Sequence, residues 1–158
     1  MPDDTLPPDA DECAPIDDGG LSDLIGYALR RAQLAVFEDF HRSLAALDIR
    51  TAQFGVLVML RHNPGLKQNQ VCTALGIKTT NFVPLLDGLE RRGLAERRSI
   101  AGDRRARGLF LTATGAQALA AMEILVAAHE ARLLARIGAA GKQQLLGLLR
   151  RLADLDAT

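Results

Sequence analysis

Tryptophan is absent from this chain of 158 residues, tyrosine occurs once, and aromatic residues reach only 4% of the sequence. A sheet-rich fold leans on aromatic and β-branched side chains, and that supply is thin here. The apolar share of 48% is carried mostly by Leu and Ala, which favour helices. The expected fold class is therefore mainly α. Cysteine is nearly lacking as well. Cys13 and Cys72 are too few for a disulfide framework and are not spaced as metal ligands. No apolar run is long enough to span a bilayer, and the N-terminus has neither the basic nor the apolar region of a signal peptide. A cytoplasmic protein without a membrane partner is expected. A glycine-rich phosphate loop and a nucleophile motif are also missing, and His41, His62 and His129 fall at spacings that bring no pair onto one helical face. No catalytic residue, metal ligand or cofactor is assigned, which argues against an enzyme.

The chain has a formal net charge of zero, but its charge is unevenly placed. Residues 1 to 18 hold seven acids, four prolines and no base, which leaves a net +7 on the rest. Such an acidic, proline-rich piece cannot bury enough apolar surface to order itself, so residues 1–20 are expected to be a disordered tail. At the other extreme, seven of the seventeen residues from Arg91 to Arg107 are arginine, against Glu96 and Asp103 alone. A local excess of about +5 is what a polyanion would feel.

Apolar residues recur at helical spacing from Leu21 to about Leu47, which predicts one long first helix. Thr51 can cap a second helix ending at Asn63-Pro64-Gly65, and a short third helix runs from about Lys67 to Leu75. After the tight Leu75-Gly76-Ile77 turn, Thr79 or Thr80 opens a fourth helix whose inward stripe is Phe82, Leu85, Leu86 and Leu89. The pair reads as a helix-turn-helix. Leu94–Ile100 and Arg107–Leu111 are short extended segments joined at Ala101-Gly102-Asp103, a hairpin signal. Thr112 caps a long helix to about Ile137, and a last helix follows from about Ala139 to Leu155. The terminal helices carry more Leu than so small a domain can cover, so a second copy of the chain is expected to bury them. The division expected is a tail over 1–20, a first helix over 21–50, a winged helix-turn-helix over 51–111 and dimerisation helices over 112–158.

The run LGIKTTNFVPLLDGLERRGLAERR from Leu75 to Arg98, then Asp103-Arg104-Arg105 and Leu111-Thr112-Ala113-Thr114-Gly115, resembles the MarR family of winged-helix transcriptional regulators. In that family the wing carries an Asp-x-Arg element, and Leu-Thr-x-x-Gly opens the next helix at the spacing found here. The resemblance implies a homodimer on a pseudo-palindromic double-stranded DNA operator. Thr79, Thr80, Asn81 and Val83 match the part of the fourth helix that enters the major groove. Val83 and Pro84 depart from the polar or basic residues common there, and Pro84 is expected to loosen the first turn or delay its start. In the wing, Asp103 with Arg105 resembles the family's structural ion pair, and Arg104 is the residue for the minor groove. Arg97, Arg98 and Arg107 complete the DNA-contacting set as phosphate ligands, with Arg105 in the same basic surface.

Members of the family commonly release DNA when a small, often aromatic, molecule binds. Tyr27, Arg31, Leu34 and His41 share a stripe of the first helix, and Phe37, Phe40 and Phe54 could wall the same cleft. A cation beside aromatic surface suits an aromatic carboxylate. The segments GYALRRAQLAVFEDF and NFVPLLDGLERRGL resemble a branch that includes repressors of aromatic-acid catabolism, some responding to hydroxycinnamoyl-CoA thioesters. Two alternatives stand beside a ligand-released repressor. One is a thiol-based peroxide sensor, which Cys13 serves poorly because Asp11 and Glu12 disfavour its thiolate. The other is an architectural DNA binder without an effector.

Overall fold

The computed structural model describes residues 17–100 and 103–153, and the side chains of residue 100 and of residues 103–106 lie outside that description. Cys13, most of the acidic tail and the Ala101-Gly102 hairpin tip therefore fall outside the described residues. Two compact units are present, one ending at Ala35 and the other starting at Val36.

In the first unit Asp17 Oδ1 accepts the Gly19 amide at 3.0 Å, and the Asp18 carboxylate accepts the amides of Gly20 at 2.9 Å and Ser22 at 3.1 Å. This side-chain cap supports a 3-10 turn at Leu21–Asp23. Leu24 is then extended, with φ −82° and ψ 123°, and the helix α1, Ile25–Ser43, starts only after it. A second 3-10 turn covers Ala45–Leu47. The expectation of one continuous helix over Leu21 to Leu47 is corrected, because apolar periodicity does not register the interruption at Leu24.

The second unit contains the core. The helix α2, Thr51–His62, starts with Arg50 in extended conformation, and the Arg50 amide donates to Gln53 Oε1 at 3.0 Å. Thr51 is thus the first helical residue and not the cap. The helix α3, Gln68–Leu75, ends in a turn where the Ile77 amide reaches back to Cys72 O at 2.9 Å. The helix α4, Thr79–Arg91, follows. Its first turn is formed despite Pro84, with the amides of Asn81 and Phe82 donating to Lys78 O at 2.9 and 3.0 Å. The expected delay is corrected: the missing amide of Pro84 leaves only the carbonyl of Thr80, an exposed residue, without its helical donor.

The strands β1, Ala95–Ile100, and β2, Asp103–Leu111, pair antiparallel with Ala95 opposite Leu111 and Arg97 opposite Leu109. The turn after α2 adds two rungs to β2, Gly65 N to Leu109 O and Leu109 N to Leu66 O, both 2.9 Å. The base of the wing is therefore fixed on both sides. A broken helix, α5, Ala113–Leu152, closes the chain. Gly138 interrupts it at φ 69°, ψ 169°, a backbone conformation open essentially to glycine. Lys142 Nζ nonetheless reaches Glu130 Oε2 at 2.8 Å. Twelve residues of straight helix would separate these two by about 18 Å, so the chain bends sharply at the break.

Phe40, Leu44, Val56, Leu57 and Leu60 from the α1 end and α2 meet Phe82, Leu86 and Leu89 of α4, Leu109 of β2, and Leu119 and Met122 of α5 in one buried cluster. Cys72, also in that cluster and 7% exposed, is a free thiol used as a small apolar residue. Among the described residues, no helix is long and apolar enough to cross a membrane.

Candidate nucleic-acid interface

The spacing of α4 decides what it buries and what it shows. Phe82, Leu86 and Leu89 fall on one face and are fully buried, which is the 3.6-residue period of an amphipathic helix. Thr79, Thr80, Asn81, Val83 and Pro84 are all exposed around the N-terminal turns. Two hydroxyls, an amide and a compact apolar group are thus presented together on an element anchored by three large side chains. Beside this face lies a cleft of about 700 Å³ lined by Arg50, Gln53, Asn81, Pro84, Arg91 and Arg92, among others. The Arg92 guanidinium donates to the carbonyls of Asp48 at 2.7 Å and Leu47 at 2.8 Å.

The wing arginines separate by strand alternation. Residues 95 and 97 point to one side and 96 and 98 to the other, and Ala95 and Leu109, which flank Arg97, are buried. Arg97 accordingly turns inward and pairs with Asp87 and Glu90 of α4. Its guanidinium, expected to meet phosphate, is engaged here by these two carboxylates. Arg98 turns outward. It stacks 4.1 Å over the Phe110 ring, pairs with Glu96 at 3.2 Å, and keeps 56% of its side chain exposed, a supported cation still open to an anion. Arg107 is exposed on β2. Asp103, Arg104 and Arg105 have their backbones in β2, and their side chains lie outside the described part.

Of the residues expected to meet a small molecule, Tyr27 and Arg31 line a depression of about 460 Å³ with Asp18, Ser22 and Ala28 in the first unit. In the second unit, Phe40 packs edge-on against Phe54 at 5.8 Å, His129 at 5.5 Å and His41 at 6.3 Å. Phe40 is 6% exposed and lies in the core with Phe54 packed against it. Phe37 and His41 are exposed, and His41 Nε2 stands 3.5 Å from Thr51 Oγ1.

The family model that matches, described as MarR family, covers residues 47–106, the stretch from the end of the α1–α2 connection into the wing. A relative from Thauera aromatica, "Putative transcriptional regulatory protein for hcr operon", is 33% identical over 140 residues, spanning 88% of this chain and 84% of the relative. The chain belongs to the MarR family. Two solved structures of the transcriptional repressor CouR resemble this MarR-family regulator over nearly its whole length. One, bound to a 23-mer DNA duplex, is 45% identical with a TM-score of 0.83, covering 89% of this chain and 99% of that one. The other, bound to p-coumaroyl-CoA, is 44% identical with a TM-score of 0.81, covering 88% and 98%.

A polar centre of this MarR-family chain escaped the sequence reading. His129 on α5 is 2% exposed, and its Nδ1–H donates to Asp39 Oδ2 on α1 at 2.6 Å. Arg132 Nη2 donates to the same oxygen at 2.8 Å and to Ser43 Oγ at 2.5 Å. The carboxylate can only accept, which fixes the proton of a neutral His129 on Nδ1. The hydrogen bond from Arg132, then that from His129, pull the Asp39 carboxyl from its ordinary 3.8 to about 2, against the opposing effect of burial. A depressed carboxyl contributes stability that is complete above its unfolded value and is lost as pH falls through the folded one. Thermal midpoints measured from pH 5 to pH 2 should therefore fall more steeply between about pH 4 and 2 for the wild type than for Asp39→Asn. Parallel curves for the two proteins would remove Asp39 from the acid response. Only its spacing at i, i+3 from His129 hints at Arg132, and Asp39 lies 90 residues from His129.

Proposed function

We propose that the chain is a homodimeric repressor that holds a pseudo-palindromic operator through α4 and the wing of each subunit and is released by an aromatic acid as its CoA thioester. The observation that carries this reading is the N-terminal face of α4. It exposes Thr79, Thr80, Asn81 and Val83 on a helix locked by Phe82, Leu86 and Leu89, in a chain 45% identical to a repressor seen on a DNA duplex. The 44% identity to the p-coumaroyl-CoA complex supports the effector class. The reading is of a cytoplasmic regulator, not an enzyme, with residues 51–111 as its DNA-binding part. Leu134, Ile137, Leu145, Leu146, Leu148 and Leu152 leave large apolar surface on the last helix, which supports a partner subunit there. Two copies related by a two-fold axis place their recognition helices about 34 Å apart.

Tyr27 and Arg31 are assigned to the effector, since a guanidinium beside a phenol suits an anionic aromatic ligand. Phe37 and His41 are further candidates on α1. Release is a shift of population: a ligand that favours the spacing unsuited to DNA lowers operator affinity by the factor through which DNA lowers ligand affinity. The decisive experiment is fluorescence anisotropy on a labelled duplex from the promoter beside the chain's own gene. It is titrated with p-coumaroyl-CoA, free aromatic acids and CoA alone. Tight binding abolished by the thioester and not by CoA is the expected outcome, and binding indifferent to all three would sink the effector half of the reading. In the same assay Arg104→Ala should weaken binding by roughly 1 to 3 kcal/mol and reduce the salt slope by about 1. An unchanged affinity would take the wing tip out of the interface.

A further inference from the structure

Helix α4 carries two carboxylates, Asp87 and Glu90, on the element assigned to the DNA groove, where negative charge opposes phosphate. Both are engaged by one residue of the wing. The Arg97 Nη1 and Nη2 atoms each lie 3.0 Å from Asp87 Oδ1, and Nη1 also donates to Glu90 Oε2. The Arg97 backbone amide donates to Glu90 Oε1 at 3.0 Å, so Glu90 grips β1 by main chain and side chain together. The side chains of Arg97 and Glu90 are 26% and 28% exposed, which shields the pair more than a surface ion pair is shielded. Arg92, which directly follows α4, ties the end of that helix to the carbonyls of Leu47 and Asp48. The helix end is therefore held from two directions, and the wing is fastened to one of them.

We propose that Arg97 is a positioning residue for DNA binding, a clamp that holds the wing and the recognition helix as one rigid unit so that both meet the duplex in register. The clamp rests on the DNA-binding reading above. It differs from a phosphate contact in a way that charge alone reverses. Asp87→Asn with Glu90→Gln removes two negative charges near the DNA, so simple electrostatics predicts tighter binding. Loss of the clamp predicts weaker binding, because the wing must then be ordered at the moment of association.

The test compares wild type, Arg97→Gln, Arg97→Lys and the Asp87→Asn/Glu90→Gln double variant. The probes are the labelled promoter duplex and a scrambled duplex of equal length, over a series of salt concentrations, with helical signal and thermal midpoint followed in parallel. Arg97→Gln should bind the promoter duplex about tenfold more weakly with an unchanged salt slope, Arg97→Lys should recover part of the loss, and the double variant should bind about 3- to 10-fold more weakly. A salt slope shallower by about 1 in Arg97→Gln would make Arg97 a phosphate ligand and overturn the clamp. So would a double variant that binds as tightly as wild type or more tightly. Should Arg97→Gln melt below the assay temperature, Arg97→Lys and the double variant decide the question. A wild type that does not prefer the promoter duplex overturns the DNA-binding reading and the clamp together; a wild type that prefers it, with variants of the opposite pattern, overturns the clamp alone.

Discussion

Gly115→Ala should leave the chain unable to hold its wing against α5. A Cβ at this position would collide with the Leu94 carbonyl oxygen and stand 2.8 Å from Leu111 Cδ1. The carbonyl cannot retreat. The Leu94 carbonyl accepts the Thr112 amide at 3.2 Å. Thr112 Oγ1 accepts the Gly115 amide at 2.9 Å and donates to Gly93 O at 2.5 Å. The start of α5, the end of β2 and the turn after α4 thus share one knot of backbone, and the Leu-Thr-x-x-Gly element is the sequence that ties it. Overpacking against backbone at such a point costs about 3 kcal/mol or more, a large part of the 5 to 15 kcal/mol that a domain possesses. The thermal midpoint should drop by roughly 6 to 12 °C. Gly26→Ala is the control, since no atom lies within 4 Å of a Cβ there, and it should be neutral or slightly stabilising. A Gly115→Ala protein melting with the wild type would show that the junction is softer than its hydrogen bonds suggest.

The second large effect is expected at Phe82. Its ring is fully buried between two exposed neighbours, Asn81 and Val83, so it is the first anchor of α4 behind the face assigned to DNA. Truncation to Ala removes that anchor and leaves a cavity, at a cost of roughly 3 to 5 kcal/mol. Denaturant unfolding should show the loss in the midpoint, and promoter-duplex affinity should fall with it, because the helix must be re-ordered on binding. Val83→Ala, one residue on, should shift stability by no more than about 0.5 kcal/mol. Equal stability losses at the two positions would mean that α4 does not face the core as described.

The contrast between 82 and 83 was readable beforehand, since a period of 3.6 sets Phe82, Leu86 and Leu89 on one side without any tertiary information. The order of helices was likewise legible, because Asn63-Pro64-Gly65 and the Leu75-Gly76-Ile77 turn stop helices by local chemistry. Strand alternation held the answer for Arg97 too. Net charge from Arg91 to Arg107 does not separate inward from outward arginines, whereas the period of 2 puts Arg97 with buried Ala95 and Arg98 with the solvent. The break at Leu24 depends on the Asp18 cap, which competes locally with helix and does not alter apolar spacing. The Asp39, His129 and Arg132 centre depends on packing between residues some 90 positions apart, and nothing local to either segment announces it.

Gly138 has a consequence at the level of the gene. Every glycine codon is GGN, and every amino acid that a single-base change can substitute for it brings a Cβ. At φ 69°, ψ 169° each such residue incurs roughly 1 to 3 kcal/mol of backbone strain, or else straightens the bend that brings Lys142 to Glu130. Substitutions elsewhere on the surface of α5 can drift through neutral intermediates, but the codon at this joint has no neutral missense neighbour, so the angle of the C-terminal arm is inherited as a single indivisible character.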